Sequence, residues 1–294
     1  MGNIEQTETA RNYNTISPSA KMLLMMKGYS NIPFAKEAAE LLAYPEKYTL
    51  DVSDKDFTFW VRLAHFESRY WSIDQLLSEL HAKNILEISS GFSFRGLQTV
   101  QENNVHYIDT DLPDIIETKM NLLARLQKET APTGTLETLP LNALDEKQFA
   151  ETVSRFSEGQ IVIINEGLLM YLNKEEKEKL CGIIRNVLRQ HGGYWITADI
   201  YIKKELDKNV FKLDQKLIEF AKQHNVAENR FDSLQAAEEF FSAMGFVVDK
   251  VAEPDYSKVT ALQNVFKIAT EQEVQQLKST GNVQATWRLK LSHN

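Results

Sequence analysis

From about residue 85 onward, short unbroken apolar runs take turns with longer stretches of helical period. The runs predict strands over 85–88, 106–109, 135–139, 160–165 and 194–199, and the intervening stretches predict helices over 95–102, 114–129, 145–156 and 174–190. Ile161-Val162-Ile163-Ile164 has no polar position at all, as expected of a parallel strand covered on both faces. Regular exchange of strand and helix predicts an α/β chain with a doubly wound, mostly parallel sheet. After Tyr201 the pattern changes to a long polar-faced helix over 203–224, a second helix over 233–244, a strand opening at 245 and a last strand over 284–291, where Trp287 and Leu289 alternate with polar residues. The final two strands, one of them antiparallel, bring the expected sheet to seven strands.

The N-terminal part reads differently. Ser17-Pro18-Ser19 is a helix start, with serine as cap and proline in the first turn. Met22, Leu23, Met25 and Met26 then form a stripe suited to core or lid packing. Further helical patterns run over 35–43, 57–70 and 72–80. The expected organisation is a helical N-terminal lid over 1–80 and a core over 81–294, with an insertion at about 200–232, before the sixth strand, that helps to cover a substrate.

Composition narrows the partners. With 33 basic and 41 acidic residues the net charge is −8, which argues against nucleic acid. One cysteine, Cys181, has no internal disulfide partner, and no window is apolar enough to span a membrane. The first residues are polar and acidic, unlike a signal peptide, so a cytoplasmic location is expected. No metal-ligand spacing is visible, and nothing in the sequence sets an oligomeric state.

The candidate chemistry gathers at the carboxyl ends of the strands, where open parallel sheets bind ligands. The first strand carries Glu87 and runs into the small-residue turn Ser89-Ser90-Gly91; the second ends in Asp109 and Asp111. Asp111 lies about 20 residues beyond the turn, the interval at which an acid reaches a ribose. A dinucleotide loop wants three spaced glycines, absent here, and Glu87 would repel a pyrophosphate. An acid-rich site without a phosphate cradle suits a nucleoside with a cationic amino-acid tail, a description that S-adenosylmethionine meets. Asn142-Ala143 and Asn165-Glu166-Gly167 end two further strands; Glu166 suits the tail's ammonium, and Arg69 its carboxylate.

Several segments resemble the leucine carboxyl methyltransferase family, in particular its bacterial members related to polyketide O-methyltransferases. They are Ile16-Ser17-Pro18-Ser19-Ala20-Lys21, the loop from Glu87 to Arg95, Asp109-Thr110-Asp111-Leu112-Pro113 with Lys119 beyond, and Asn165-Glu166-Gly167-Leu168-Leu169-Met170-Tyr171-Leu172. The resemblance implies a Rossmann-like class I S-adenosylmethionine fold. It places Gly91 in the cofactor loop, Asp111 on the ribose, Asn142 and Ala143 near the adenine, Glu166 near the amino-acid tail and Arg69 on the donor carboxylate. Ser89 stands where the family's first loop glycine would be, and Ser93 where its loop aspartate would be.

The expected reaction is O-methylation of a small molecule or natural-product intermediate. A carboxylate acceptor is preferred because it needs no general base, whereas a hydroxyl does. Arg11, Tyr13, Tyr171 and Tyr201 are the acceptor-site candidates. The competing readings are a hydroxyl O-methyltransferase, a dinucleotide dehydrogenase, and a non-catalytic binding protein with a weakened loop.

Overall fold

The computed structural model describes residues 15, 17–46, 48, 50–127, 131–204 and 215–292. Three helices come first: α1 (Ser17–Lys27), α2 (Ala35–Ala43) and α3 (Phe57–Ser78). The alternating core follows, as β1 (Asn84–Ile88), α4 (Arg95–Glu102), β2 (His106–Asp111), α5 (Pro113–Leu126), β3 (Thr135–Pro140), α6 (Glu146–Val153), β4 (Ile161–Asn165), α7 (Lys174–His191) and β5 (Gly193–Tyr201). The chain then forms α8 (Gln215–Gln223), α9 (Leu234–Ala243), β6 (Phe246–Val251), α10 (Ala261–Ile268), α11 (Glu271–Thr280) and β7 (Gln284–Leu291).

The strands form one seven-stranded sheet in the order β3-β2-β1-β4-β5-β7-β6. β1 to β5 are parallel, while β7 lies antiparallel to both β5 and β6. Every residue of β1 and of β4 is buried, which is why β4 reads as an apolar run up to Asn165 and β1 as one interrupted only by Glu87. The chain winds outward from β1 through β2 to β3, then returns to start β4 on β1's other side. The strand order therefore reverses between β1 and β4, and a crevice opens at their carboxyl ends.

Helix α7 shows how local sequence fixes an element. Asn173 accepts from the Glu176 amide at 2.8 Å, and the Glu176 carboxylate accepts from the Asn173 amide at 2.8 Å, closing a capping box. Its apolar face buries Leu180, Ile184 and Leu188 on the sheet, and Gly192, at φ 70°, ends it.

The end of the chain departs from the expected pattern. Of the long helix expected over 203–224, Gln215–Gln223 is helical, Lys203 and Lys204 are not, and residues 205–214 lie outside the described residues. Two unforeseen helices, α10 and α11, separate β6 from β7. α10 owes its place to a distant partner: the buried carboxylate of Glu67 on α3 accepts from the amides of Thr260 (3.1 Å) and Ala261 (2.7 Å) at the N-terminus of α10. Ala261 and Val265 then pack against Trp60 and Leu63. The second half of α3 is part of the sheet's cover, with Ile73 and Leu76 set among Ile85, Ile164 and Ile196. The first 80 residues thus contribute to the core as well as to the cavity described next.

Candidate functional site

A cavity of about 780 Å³ occupies the crevice. Its walls come from the β1–α4 turn, the ends of β2, β3 and β4, helix α1, the first half of α3, Tyr201 and the segment around α8. Arg69, Ser89, Gly91, Asp111, Asn142, Ala143, Glu166, Tyr171 and Tyr201 all line it. Arg11 and Tyr13 lie outside the described residues.

The turn after β1 is tight. Ser89 and Gly91 take φ of 51° and 53°. The Ser90 amide donates to the Thr110 carbonyl at 3.0 Å, tying the turn to β2. Asp111 completes the tie: one oxygen accepts from the Gly91 amide at 2.6 Å and the other from the Leu112 amide at 2.7 Å. Burial raises the Asp111 pKa, and the two amides act against that rise. Each carboxylate oxygen keeps a second lone pair for a ligand hydroxyl. The positive φ of Ser89 is one that glycine adopts freely and serine does not. Ser89→Gly is therefore expected to stabilise the protein by roughly 0.5–1 kcal/mol, raising the melting temperature by about 2 °C in a thermal melt.

At the end of β4, Glu166 faces a cluster of cations. One oxygen accepts from Lys27 Nζ and from Arg69 Nη2, each at 2.9 Å. The other has no hydrogen-bond partner, with Arg95 Nη2 at 3.5 Å. Burial opposes the Glu166 charge, yet Lys27, Arg69 and Arg95 hold its carboxyl below the usual carboxylate range. For Lys27 the balance falls the other way: burial lowers its pKa, only partly countered by Glu166. The turn carrying Glu166 is fixed by Asp199 on β5, whose carboxylate accepts from the amides of Gly167 (2.6 Å), Leu168 (2.7 Å) and Leu169 (3.0 Å).

Arg69 also donates to the Tyr201 hydroxyl at 2.8 Å, and His65 Nε2 lies 2.7 Å from the same oxygen. Burial, then the nearby Arg69 charge, pushes the His65 pKa down to about 3, so its imidazole is neutral near pH 7. Tyr171 packs edge-on against Phe220 and His224.

Two expected cofactor contacts need correction, because neither Glu87 nor Asp109 lines the cavity. Glu87 is fully buried, bonded to Arg95 Nη1 at 2.9 Å and to the Tyr107 hydroxyl at 2.6 Å. Asp109 pairs with buried Lys119 at 2.6 Å, and Lys119 donates to Ser90 Oγ at 2.9 Å. Both acids are consumed inside the protein, as buried carboxylates must be. Lys27, His65 and Asp199 were missed by sequence reasoning; only their convergence in space marks them.

The model of the leucine carboxyl methyltransferase family matches residues 17–185. The chain belongs to that family. No curated protein sequence matches this chain significantly. Among solved structures, a DUF574 family protein from Streptomyces avermitilis MA-4680 is 15% identical with a TM-score of 0.50, covering 95% of this chain and 100% of its own. Magnesium protoporphyrin IX methyltransferase (ChlM) from Synechocystis PCC 6803, with bound SAH, is 8% identical with a TM-score of 0.48, covering 89% of this chain and 96% of its own. At 15% identity the first likeness concerns the fold alone.

The family's cofactor is S-adenosylmethionine, and the residues of this leucine carboxyl methyltransferase family member fit it. The unpartnered Glu166 oxygen is an acceptor for an ammonium, and Arg69 and Lys27 beside it are donors for a carboxylate. Asp111 offers lone pairs to a ribose, and Asn142 and Ala143 stand at the next strand end. Among the described residues no cluster of metal-ligating side chains is present, nor is any helix long and apolar enough to cross a membrane.

Proposed function

We propose that this family member transfers the methyl group of S-adenosylmethionine to a carboxylate oxygen of a small, largely apolar acid. When bound, the donor supplies an already activated methyl on a sulfonium, so the protein's task is alignment and exclusion of water. Asp111 holds the ribose, while Glu166, Arg69 and Lys27 hold the amino-acid tail. Helix α1, which carries Lys27 and lines the cavity from Ser19 onward, is the lid.

The preference for a carboxylate rests on one observation. His65 is the sole imidazole among the described lining residues, and with a pKa near 3 it holds no useful basicity at neutral pH. Burial also raises the Tyr201 pKa, so its hydroxyl stays protonated. A phenol or alcohol would need a base to remove its proton, whereas a carboxylate arrives ionised.

The test is product analysis with isotopically labelled donor and matched pairs of aryl or alkyl acids and their alcohols or phenols. Methyl esters are the expected products. Their kcat/KM should vary by less than about three-fold between pH 6.5 and 8.5, because His65 stays neutral and Tyr201 protonated throughout that range and the acid is already ionised. Ether formation from the phenols at equal or greater rate, rising with pH, would overturn the carboxylate assignment. Failure of S-adenosylhomocysteine to bind in a calorimeter would overturn the donor site itself.

A further inference from the structure

Arg230 sits in the segment between α8 and α9 and lines the cavity. Its position is held by neighbours on both sides. The Phe231 amide donates to the Tyr201 carbonyl at 2.9 Å, and the Lys203 amide to the Phe231 carbonyl at 2.7 Å, stitching the segment to the end of β5. On the other side, Lys177 of α7 donates to the Asn229 carbonyl, and the Asn229 side chain donates to the Met170 carbonyl at 3.1 Å. The Arg230 guanidinium is thereby set 5.7 Å from the centre of the Tyr201 ring.

So precise a placement has no internal purpose in view. Among the described residues Arg230 makes no ion pair, and its buried Nε has no hydrogen-bond partner. Arg69 and Lys27, by contrast, share Glu166, and Arg95 pairs with Glu87 and Asp74. A half-buried guanidinium without a counter-charge is unfavourable unless a ligand supplies one, and its planar fork suits a carboxylate. The wall around it is predominantly apolar, with Met22, Phe66, Met170 and Phe220 among its residues.

We propose that Arg230 anchors the acceptor's carboxylate, selecting monocarboxylic acids with an extended apolar body. This rests on the methyltransferase reading above. Arg230 lays the carboxylate against Tyr201, which Arg69 and His65 fix next to the donor's tail. It is a binding and positioning group and moves no proton. Because it belongs to the insertion after β5, the insertion carries its own substrate contact.

The experiment measures calorimetric binding of 6-phenylhexanoate and of 6-phenylhexanol to the protein saturated with S-adenosylhomocysteine, for the wild type, Arg230→Lys and Arg230→Met. In the wild type the acid should bind at least about ten-fold more tightly than the alcohol, the worth of one charge-assisted hydrogen-bonded contact. Arg230→Met should remove that preference by weakening the acid alone, and Arg230→Lys should keep part of it. S-adenosylhomocysteine should bind all three proteins alike, which also verifies that the variants fold. Equal binding of acid and alcohol by the wild type, no binding of either, or an acid preference surviving in Arg230→Met overturns the assignment. Loss of S-adenosylhomocysteine binding in the wild type would instead strike the donor site, so the two failures are told apart.

Discussion

Replacing Asp111 with asparagine is expected to weaken S-adenosylhomocysteine binding by about 100-fold, equivalent to roughly 3 kcal/mol. The Asp111 carboxylate already accepts hydrogen bonds from two amides, those of Gly91 and Leu112. Each oxygen spends one lone pair on the backbone and presents the other to the cavity, so a single side chain both shapes the turn and receives the ribose hydroxyls. An amide cannot do this. Whichever way it points, its NH2 faces a backbone N–H, donor against donor, and one hydroxyl loses its acceptor. Asp111→Ala should lose the same affinity, with less repulsion in the turn. The calorimetric titration is accompanied by a thermal melt without ligand, because the turn makes up a small part of the sheet and the fold should persist. An affinity within about three-fold of wild type would refute the ribose role. There is a pH corollary. Burial raises the Asp111 pKa, so the charged form that binds ribose best is lost at a higher pH than for an ordinary aspartate. Donor affinity should fall as the solution is acidified through that raised value, and the asparagine variant should not show this dependence.

Much of the scaffold was legible because its signals are local. Short apolar runs mark β1 and β4, the first holding the single acid Glu87, and Asn173 with Glu176 announces the start of α7. Of the two helices that escaped, α11 starts at a local capping box of Thr270 and Glu273, whereas α10 is held from a distance. Helix α10 is only eight residues long, and its first turn is capped by Glu67, 193 positions away in sequence from Thr260. Of the polar run after Tyr201, Gln215–Gln223 is helical as its period suggests, while Ile202 forms an isolated bridge to Phe231. The site divides in the same way. Asp111 and Glu166 could be placed because strand ends meet at a reversal of strand order. Glu87 occupies an equally suggestive position, yet Arg95 and Tyr107 satisfy it from within. Sequence shows where a buried acid stands; whether its partner is a protein cation or a ligand depends on which side chains arrive from elsewhere. Lys27 reaches Glu166 across 139 positions, a contact that no spacing rule anticipates.

That arrangement makes Glu166→Gln the most disruptive single exchange in the site. The glutamine is nearly isosteric, so packing changes little, but Lys27 and Arg69 lose their shared counter-charge while both remain buried. Breaking such a cluster from one side costs about 3–5 kcal/mol. Donor binding should be lost as well, because the ammonium of the amino-acid tail would meet two unneutralised cations. The pH dependence separates charge from shape. The folded-state pKa of Glu166 lies below its ordinary value, so its contribution to stability is complete above the usual carboxylate range and lost as pH falls below it. The stability gap between wild type and Glu166→Gln should therefore narrow on acidification, as followed by urea unfolding at a series of pH values. Adding Lys27→Met to Glu166→Gln should restore part of the lost stability, since it removes one of the stranded cations, without restoring donor binding. A Glu166→Gln protein within about 1 kcal/mol of wild type at pH 7 would mean that Lys27 and Arg69 are neutralised by another route, and that Glu166 is not the acid around which the tail pocket is built.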